Sequence, residues 1–589
     1  MRKFMQKPLV ALNKHLGLWK EAIHHASLLE MARQRVFAAG IIMCVSFVTI
    51  AGRLVDVMAI RTSKRNAIVA LTDINPMPRA DIYDRNGNIL ATHLVTASLY
   101  ANPKVILNPT DAATKLSALF PDVGYKTILK RLSSGKGFTW LIRHIPPRLQ
   151  QAVNELGIPG VYLQKDFKRV HPYGPLPSHA LGYCGIDNEG LSGIEKFFNK
   201  ELTTSNQPIR LSLDIRVQHI VRDVLINAIT EFNAVGANAM VMDIKTGELL
   251  AMVSLPDFDP NKISNLRETK AIFNRNTLGV YEPGSIFKIV NSTIALDSGT
   301  ATPYTVYDAS APYKLGKFKI CDFKGKERGL TVTEAFVYSS NIASIKMALQ
   351  FGIKTQKDYF KKLGVMQPTH LEIPEVSSPL IPTTWKEPTL ITASYGYGIS
   401  ITPLQTLSIV GTIVNDGIAV QPTLLFKSDE ERAQLIQEHS QTKRVISSKT
   451  SHMVREMLRL VATHGGSRKA NVDGYEVMGK TGTVYQKEGR GYNKNRRTTS
   501  FVGAFPLSDP QYMVIVMLDD PKASKETYHY AAAGWNAAPT GGRLIEKIAP
   551  ILGVHPIQEK TPIRYVHSLD GQPATHDAVV MKTSHTRSE

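Results

Sequence analysis

Ser285 and Lys288 stand three residues apart in the segment Tyr281-Glu-Pro-Gly-Ser-Ile-Phe-Lys288. A serine hydroxyl is a weak nucleophile until a neighbour takes its proton, and a neutral lysine one helical turn away can do so. Two more segments follow in order. Ser339-Ser340-Asn341 offers a hydroxyl and an amide that can relay a proton and orient a peptide bond. Lys480-Thr481-Gly482-Thr483 offers a cation, two hydroxyls and a glycine on one strand, a combination suited to a carboxylate. Together they can perform acyl transfer through an ester on the serine.

Each motif alone is weak, and its surroundings discriminate. Ser-x-x-Lys also occurs at Ser133/Lys136 and Ser440/Lys443, and Lys-Thr-Gly also at Lys245-Thr246-Gly247. The Ser133 copy lies between glycines and reads as a loop. The Ser440 copy lies in a polar stretch with little to bury. Lys245-Thr246-Gly247 separates two apolar runs and reads as a hairpin turn. Ser285 differs: Glu282-Pro283-Gly284 turns into the apolar run Ile286-Phe287, Ile289-Val290, as expected of a loop entering a buried helix.

Several elements must position these groups. Asp214 can cap a helix with Val217, Ile220, Val221, Val224, Leu225, Ala228 and Phe232 on one face. A hairpin is expected over 239–255, a mostly helical stretch over 270–360, and an apolar helix over Pro403 to Val414. Lys480 to Tyr485, Thr498 to Phe505 and Tyr512 to Leu518 read as successive strands, and Arg543 to Leu552 as a closing helix. Helices at both ends with strands between imply a mixed α/β (α+β) domain, its sheet covered by helices on both faces.

With 589 residues the chain needs several domains. Val36 to Gly52 is uncharged and apolar between Arg33, Arg35 and Arg53, short for a membrane span unless Arg53 snorkels and Leu54 and Val55 extend it. The 35 residues before it, with no small-x-small site, weigh against a cleaved signal. Seven basic residues against two acidic ones in 1–35 place that tail in the cytoplasm and export the rest. Leu9, Leu12, Leu16, Trp19 and Ile23 recur at helical spacing, so the tail either lies on the inner leaflet or is a disordered basic arm. The net charge of +20 accompanies no zinc-finger spacing or aromatic-basic interleaving, so no nucleic-acid partner is expected. No His/Cys/carboxylate cluster has metal-ligand spacing, and neither metal nor cofactor is expected. Cys44 lies in the apolar segment; Cys184 and Cys321, far apart in sequence, could pair in an oxidising compartment, and free buried thiols are the preferred expectation. The resulting domain plan is a tail over 1–35, a membrane anchor over 36–56, a non-catalytic pedestal over 57–205, the catalytic domain over 206–556 and an unpatterned tail over 557–589.

At these residues the chain resembles the class B penicillin-binding proteins, and within them the division-specific transpeptidases. The resemblance extends beyond the three motifs to Ala251–Asn261 (AMVSLPDFDPN), Ser394–Gln405 (SYGYGISITPLQ) and Ser500–Pro506 (SFVGAFP), and in the pedestal to Asp84-Arg85-Asn86-Gly87 and Gly190-Leu-Ser-Gly-Ile-Glu195. Two departures concern linker geometry: Pro78-Arg79-Ala80 replaces the usual Gly-Arg-Gly, and Lys200 to Arg210 is a short connection.

The resemblance implies a transpeptidase domain with a mainly antiparallel sheet flanked by helices, on a single-pass protein of the inner membrane with its catalytic domain in the periplasm. It implies that Ser285 takes the acyl group of a D-Ala-D-Ala stem peptide, that a neighbouring stem's amine resolves the ester into a septal cross-link, and that β-lactams stay on Ser285. Lys288 serves as base, neutralised by burial and by Lys480. Ser339 bridges Ser285, Lys480 and the leaving amine, and Asn341 orients the substrate amide together with Lys288. Thr481 and Thr483 hold the terminal carboxylate beside Gly482, and the backbone N–H groups of Ser285 and Thr483 form the oxyanion hole. The implied partners are an FtsW-like glycosyltransferase and other divisome proteins. The alternatives are an elongation-specific transpeptidase, a D,D-carboxypeptidase or β-lactamase using water, and an anchored scaffold that binds penicillin without turnover.

Overall fold

The structure is a computed structural model that describes residues 33, 35–55, 78–205, 207–262, 270–442, 444–489, 491–558, 561 and 563. Most of the N-terminal tail (1–32 and 34), the approach over 56–77 and residues from 564 onward lie outside them. Arg35–Val55 forms one apolar helix of 21 residues with mean hydropathy 2.0, long enough to cross a bilayer. It extends past Arg53 to Val55.

In the compact unit that follows, a pedestal comes first. Strands β1 (Ile82–Tyr83), β2 (Ile89–Ala101), β3 (Thr139–Ile145) and β4 (Val161–Val170) pair antiparallel around β2. Helices α1 (Pro109–Leu119), α2 (Tyr125–Leu132) and α3 (Pro147–Glu155) close a small apolar core that includes Leu99, Leu116, Ile128, Leu132 and Leu141. Asp84 is fully buried and accepts from the Asn86 and Asn88 backbone N–H groups at 2.8 Å, which bends the chain between β1 and β2. Its other oxygen receives Ile215 N–H at 3.3 Å, at the start of the catalytic domain's first helix.

The short connection is used as structure. β5 (Ile209–Arg210) lies parallel to β1, and Ile209 N–H donates to Asp81 O at 3.0 Å. Arg79, the core of the altered Pro78-Arg79-Ala80, is pinned inside: its Nε donates to Glu195 at 2.5 Å, and Arg169 Nε approaches the other Glu195 oxygen at 2.7 Å. Burial alone would raise the Glu195 carboxyl, but Arg169, His171 and Arg79 together hold it well below the ordinary glutamate range.

Helix α4 (Ile215–Phe232) starts at the Asp214 cap, which accepts from Arg216 N–H, and buries the apolar stripe read from the sequence. Its face packs on a five-stranded antiparallel sheet ordered β12–β13–β14–β6–β7: β6 (Gly236–Asp243), β7 (Leu249–Leu255), β12 (Met478–Glu488), β13 (Gly491–Phe505) and β14 (Tyr512–Asp519). Alternation divides the core. Ala239, Val241, Val514 and Val516 join one cluster with α4 and the closing helix α10 (Ala537–Ile548). Met240, Met242, Met513 and Ile515 face the other, with α5 (Lys288–Asp297), α8 (Pro403–Val414) and α9 (Ser448–His464). The sheet is thus covered on both faces, as expected.

Three expectations are corrected. The stretch 270–360 also holds four short strands, β8 (Val306–Asp308), β9 (Tyr313–Leu315), β10 (Phe318–Ile320) and β11 (Gly329–Thr331), because Gly316 turns a β-prone run back on itself. Cys321 directly follows β10 and is exposed rather than buried; Cys184 is a buried free thiol. The closing helix begins at Ala537, six residues early, where the Asn536 side chain caps it by accepting Ala537 N–H at 2.7 Å, and Gly541 leaves room for the Phe501 ring packed on it. The start of the last segment is also tied down, with Thr561 bonded to Glu476.

Candidate active site

A 3₁₀ turn over Gly284–Phe287 carries Ser285 and runs directly into α5, which opens at Lys288. Gly284 has φ +54, and a Cβ there would sit 2.5 Å from Val484 on β12, so the serine turn can lie against that strand only with glycine before it. The turn is also tied to Gly396 of the Tyr-Gly-Tyr-Gly segment, whose carbonyl receives Gly284 N–H at 3.0 Å. Gly396 itself has φ +82, and a Cβ would lie 2.1 Å from Gly284 O. Gly396→Ala is therefore expected to displace the serine turn and slow acylation on the order of 10²-fold. Stopped-flow trapping with a chromogenic β-lactam reads this, and a rate equal to the parent's would refute the coupling.

Helix α6 (Val332–Val337) and helix α7 (Asn341–Lys362) flank the second motif. Between them Ser339 adopts φ +59, a left-handed conformation that costs a serine about 1 kcal/mol or more. That conformation turns both its oxygens toward Lys288: Nζ donates to Ser339 O at 2.5 Å and to Ser339 Oγ at 3.1 Å. The same nitrogen is 3.2 Å from Ser285 Oγ. Lys480, on β12 at the sheet edge, reaches Ser339 Oγ at 3.2 Å and Phe336 O at 3.4 Å. One serine hydroxyl thus stands between two lysines, each only 1% exposed.

Such burial decides their protonation. Loss of hydration pushes Lys288 well below the ordinary lysine range, Lys480 pushes it further, and Asp322 opposes both. Burial lowers Lys480 to about 7. Both shifts favour the neutral amine, so either lysine gives up its proton far more readily than an exposed one, and Lys288 is pushed further by its neighbour.

The other predicted residues lie around this core. Thr481 and Thr483 are half-buried on β12, and Thr483 Oγ1 accepts from Ala533 N–H at 3.0 Å. A Cβ on Gly482 would meet Ser500 Oγ at 2.7 Å and Pro283 O at 3.0 Å, so this position keeps β12 against the serine turn. Asn341 differs from expectation. Its amide donates to Cys321 O at 2.9 Å, and Lys288 finds the Ser339 carbonyl instead.

Two neighbours gave no signal in the sequence. Asp322 accepts from Asn341 N–H at 2.5 Å, Ile342 N–H at 3.1 Å and Ser340 Oγ at 2.6 Å, capping α7 from outside the helix. Asp322→Asn keeps the shape but removes a charge that favours protonated Lys288, so the acid limb of the acylation profile should move to lower pH. A limb that stays put would show that this charge does not reach the base. Glu282, three residues before Ser285, is buried and takes Gly398 N–H at 2.9 Å, Tyr492 OH at 3.1 Å and Lys487 Nζ at 2.9 Å. It braces the serine turn, the Tyr-Gly-Tyr-Gly segment and the β12–β13 hairpin against one another. The described residues hold no group of three or more His, Cys, Asp or Glu fit for a metal ion.

Residues 237–539 match the penicillin binding protein transpeptidase domain, and residues 74–216 the penicillin-binding protein dimerisation domain. The chain is 34% identical over 489 residues to a probable peptidoglycan D,D-transpeptidase FtsI of Caulobacter vibrioides, covering 81% of this chain and 82% of that relative. It is 28% identical to the peptidoglycan D,D-transpeptidase FtsI of Escherichia coli K12, over 81% of this chain and 84% of the relative. Among solved structures it is similar to penicillin-binding protein 3 of Mycobacterium tuberculosis in complex with ampicillin, with TM-score 0.64 and 24% identity over 83% of this chain and 98% of the other.

Proposed function

From a chain that belongs to the penicillin-binding proteins with transpeptidase and dimerisation domains, we infer the roles of the individual groups in its reaction. The protein is a peptidoglycan D,D-transpeptidase that cross-links stem peptides. Ser285 Oγ attacks the carbonyl of the D-Ala-D-Ala bond while its proton passes to neutral Lys288. The tetrahedral oxyanion rests on the backbone N–H groups of Ser285 and Thr483, each worth roughly 10²–10³ in rate in comparable sites. Collapse breaks the peptide bond; the leaving D-Ala nitrogen takes a proton through Ser339, and the acyl group stays as an ester on Ser285. The acceptor amine then attacks that ester, loses a proton to the same relay and restores the serine. Lys480, Thr481 and Thr483 hold the donor's terminal carboxylate, Gly482 lets the peptide approach, and Asn341 orients its amide.

The observation that carries this reading is the placement of Ser339 Oγ within hydrogen-bond reach of both buried lysines, one of which touches Ser285. Incubating the chain with a fluorescent penicillin and mapping the label by mass spectrometry tests it. Label on Ser285, absent from Ser285→Ala, is the expected result. Label elsewhere overturns the assignment, and label lost within minutes would make water the acceptor.

The FtsI relatives support a role in septal synthesis, and the 21-residue helix supports a single-pass inner-membrane anchor with the catalytic domain in the periplasm beside an FtsW-like glycosyltransferase and other divisome proteins. Depletion should give filaments; cells that keep dividing would remove the septal role.

A further inference from the structure

Between Ser310 and Arg328 the chain places Lys314, Lys317, Lys319, Lys324, Lys326 and Arg328 against only Asp322 and Glu327. Strands β9 and β10 form a two-stranded hairpin here, with Phe318 opposite Leu315, and it joins no larger sheet. Its lysines and Phe318 point outward, while Tyr313, Leu315 and Ile320 are partly covered. Phe318 is 65% exposed and Phe323 81%, and all five lysines are exposed. Among the described residues none of those lysines lies in an ion pair with a carboxylate. Asp322 is turned inward to cap α7, so it does not offset them. A hairpin that buries little and concentrates one sign of charge beside two exposed phenyl rings is shaped for a partner rather than for the fold.

Its base is fixed to the reaction centre. Cys321 O holds the Asn341 amide, and the Lys326 ammonium lies 4.5 Å from the Tyr338 ring, next to Ser339. Lys324 lies 5.7 Å from the Tyr530 ring. Whatever binds the hairpin is therefore bound beside Asn341 of the second motif. We propose that the β9–β10 hairpin and Phe323 dock the anionic glycan–peptide strand from which the donor stem hangs. The lysines neutralise free carboxylates of neighbouring stems, while Phe318 and Phe323 cover the apolar faces of sugar rings. This deepens the transpeptidase reading, on which it rests, because it gives the enzyme a hold on the polymer as well as on one peptide terminus. An acidic lipid surface would attract the same charges. The strand is favoured because the hairpin's base is joined to Asn341, where the polymer's own peptide must enter.

The test uses the full-length chain in detergent micelles, with un-cross-linked peptidoglycan strands bearing pentapeptide stems as the probe. In a variant combining Lys317→Glu, Phe318→Ser and Lys319→Glu, strand affinity should fall on the order of tenfold and lose salt sensitivity. Acylation of Ser285 by a soluble fluorescent penicillin should stay within about twofold of the parent, since screened surface charges act weakly on a small ligand. A second variant, Lys314→Gln with Lys317→Gln and Lys319→Gln, decides the matter if the first loses penicillin labelling. Strand affinity equal to the parent's overturns the proposal, as does a loss seen only with phosphatidylglycerol vesicles, which would make the hairpin a membrane contact. If the parent takes no penicillin label, the transpeptidase roles fail, and the strand-binding comparison still judges the hairpin.

Discussion

Lys288→Arg is expected to slow acylation of Ser285 by roughly 10²–10⁴-fold, the range usual for loss of a positioned general base. Arginine retains the positive charge and much of the length, but it does not give up its proton in a protein. The substitution therefore separates a lysine that acts as a base from one that acts only as a cation. The pH profile of the unmodified enzyme supplies a second test. Lys288 must be neutral to accept the serine proton, so acylation falls on the acid side as Lys288 gains one, well below the ordinary lysine range. Lys480 must stay charged to hold a carboxylate, so acylation falls on the alkaline side as pH rises through about 7. The two lysines share Ser339 Oγ, and the limbs report the pair rather than either residue alone. Lys288→Arg with a rate within tenfold of the parent would exclude Lys288 as the base.

The largest effect on stability is expected at the pedestal. Glu195→Ala leaves the Arg79 and Arg169 guanidinium groups, both almost wholly buried, without their shared carboxylate. Breaking a buried pair from one side costs about 3–5 kcal/mol, because the remaining charge is stranded away from water. Equilibrium denaturation of the full-length chain should show this loss, and a change below about 1 kcal/mol would mean that water reaches the cluster. The sign with pH follows from the depressed carboxyl. The folded form binds its proton more weakly than the unfolded chain, so the full contribution is present above the ordinary glutamate range. It declines as pH falls below that range toward the folded value, and the variant should lack this acid dependence.

Local chemistry made much of this molecule legible in advance. Asp214 announced a helix start, Gly247 a hairpin turn, and the alternating strands after Lys480 a sheet with two covered faces, because each rule acts over a few neighbouring residues. The three motifs could be set in order for the same reason. What stayed hidden depends on contacts between distant segments. Nothing near Asp322 marks it as the cap of a helix that begins at Asn341, and nothing near Arg79 marks its partner as Glu195. The left-handed Ser339 was also invisible, since serine has no preference for that conformation and only the packed ends of α6 and α7 impose it. The small strands between Val306 and Thr331 were missed because runs of three residues give no period to read.

The sheet order has a consequence for how the protein is made. Its centre is the pairing of β14 with β6, where Tyr512 lies opposite Asp243, and everything that carries Ser285, Lys288 and Ser339 is threaded between those two strands. Pairing over so long a stretch of chain is slow to form. As the polypeptide is synthesised, Ser285 appears well before Lys480 and β14. Until β14 has docked, Lys480 has no edge from which to reach Ser339 and Lys288 has no closed interior to strip its proton. The nascent enzyme is thus chemically silent until nearly the whole catalytic domain has been made, and reactivity switches on only with its last strands.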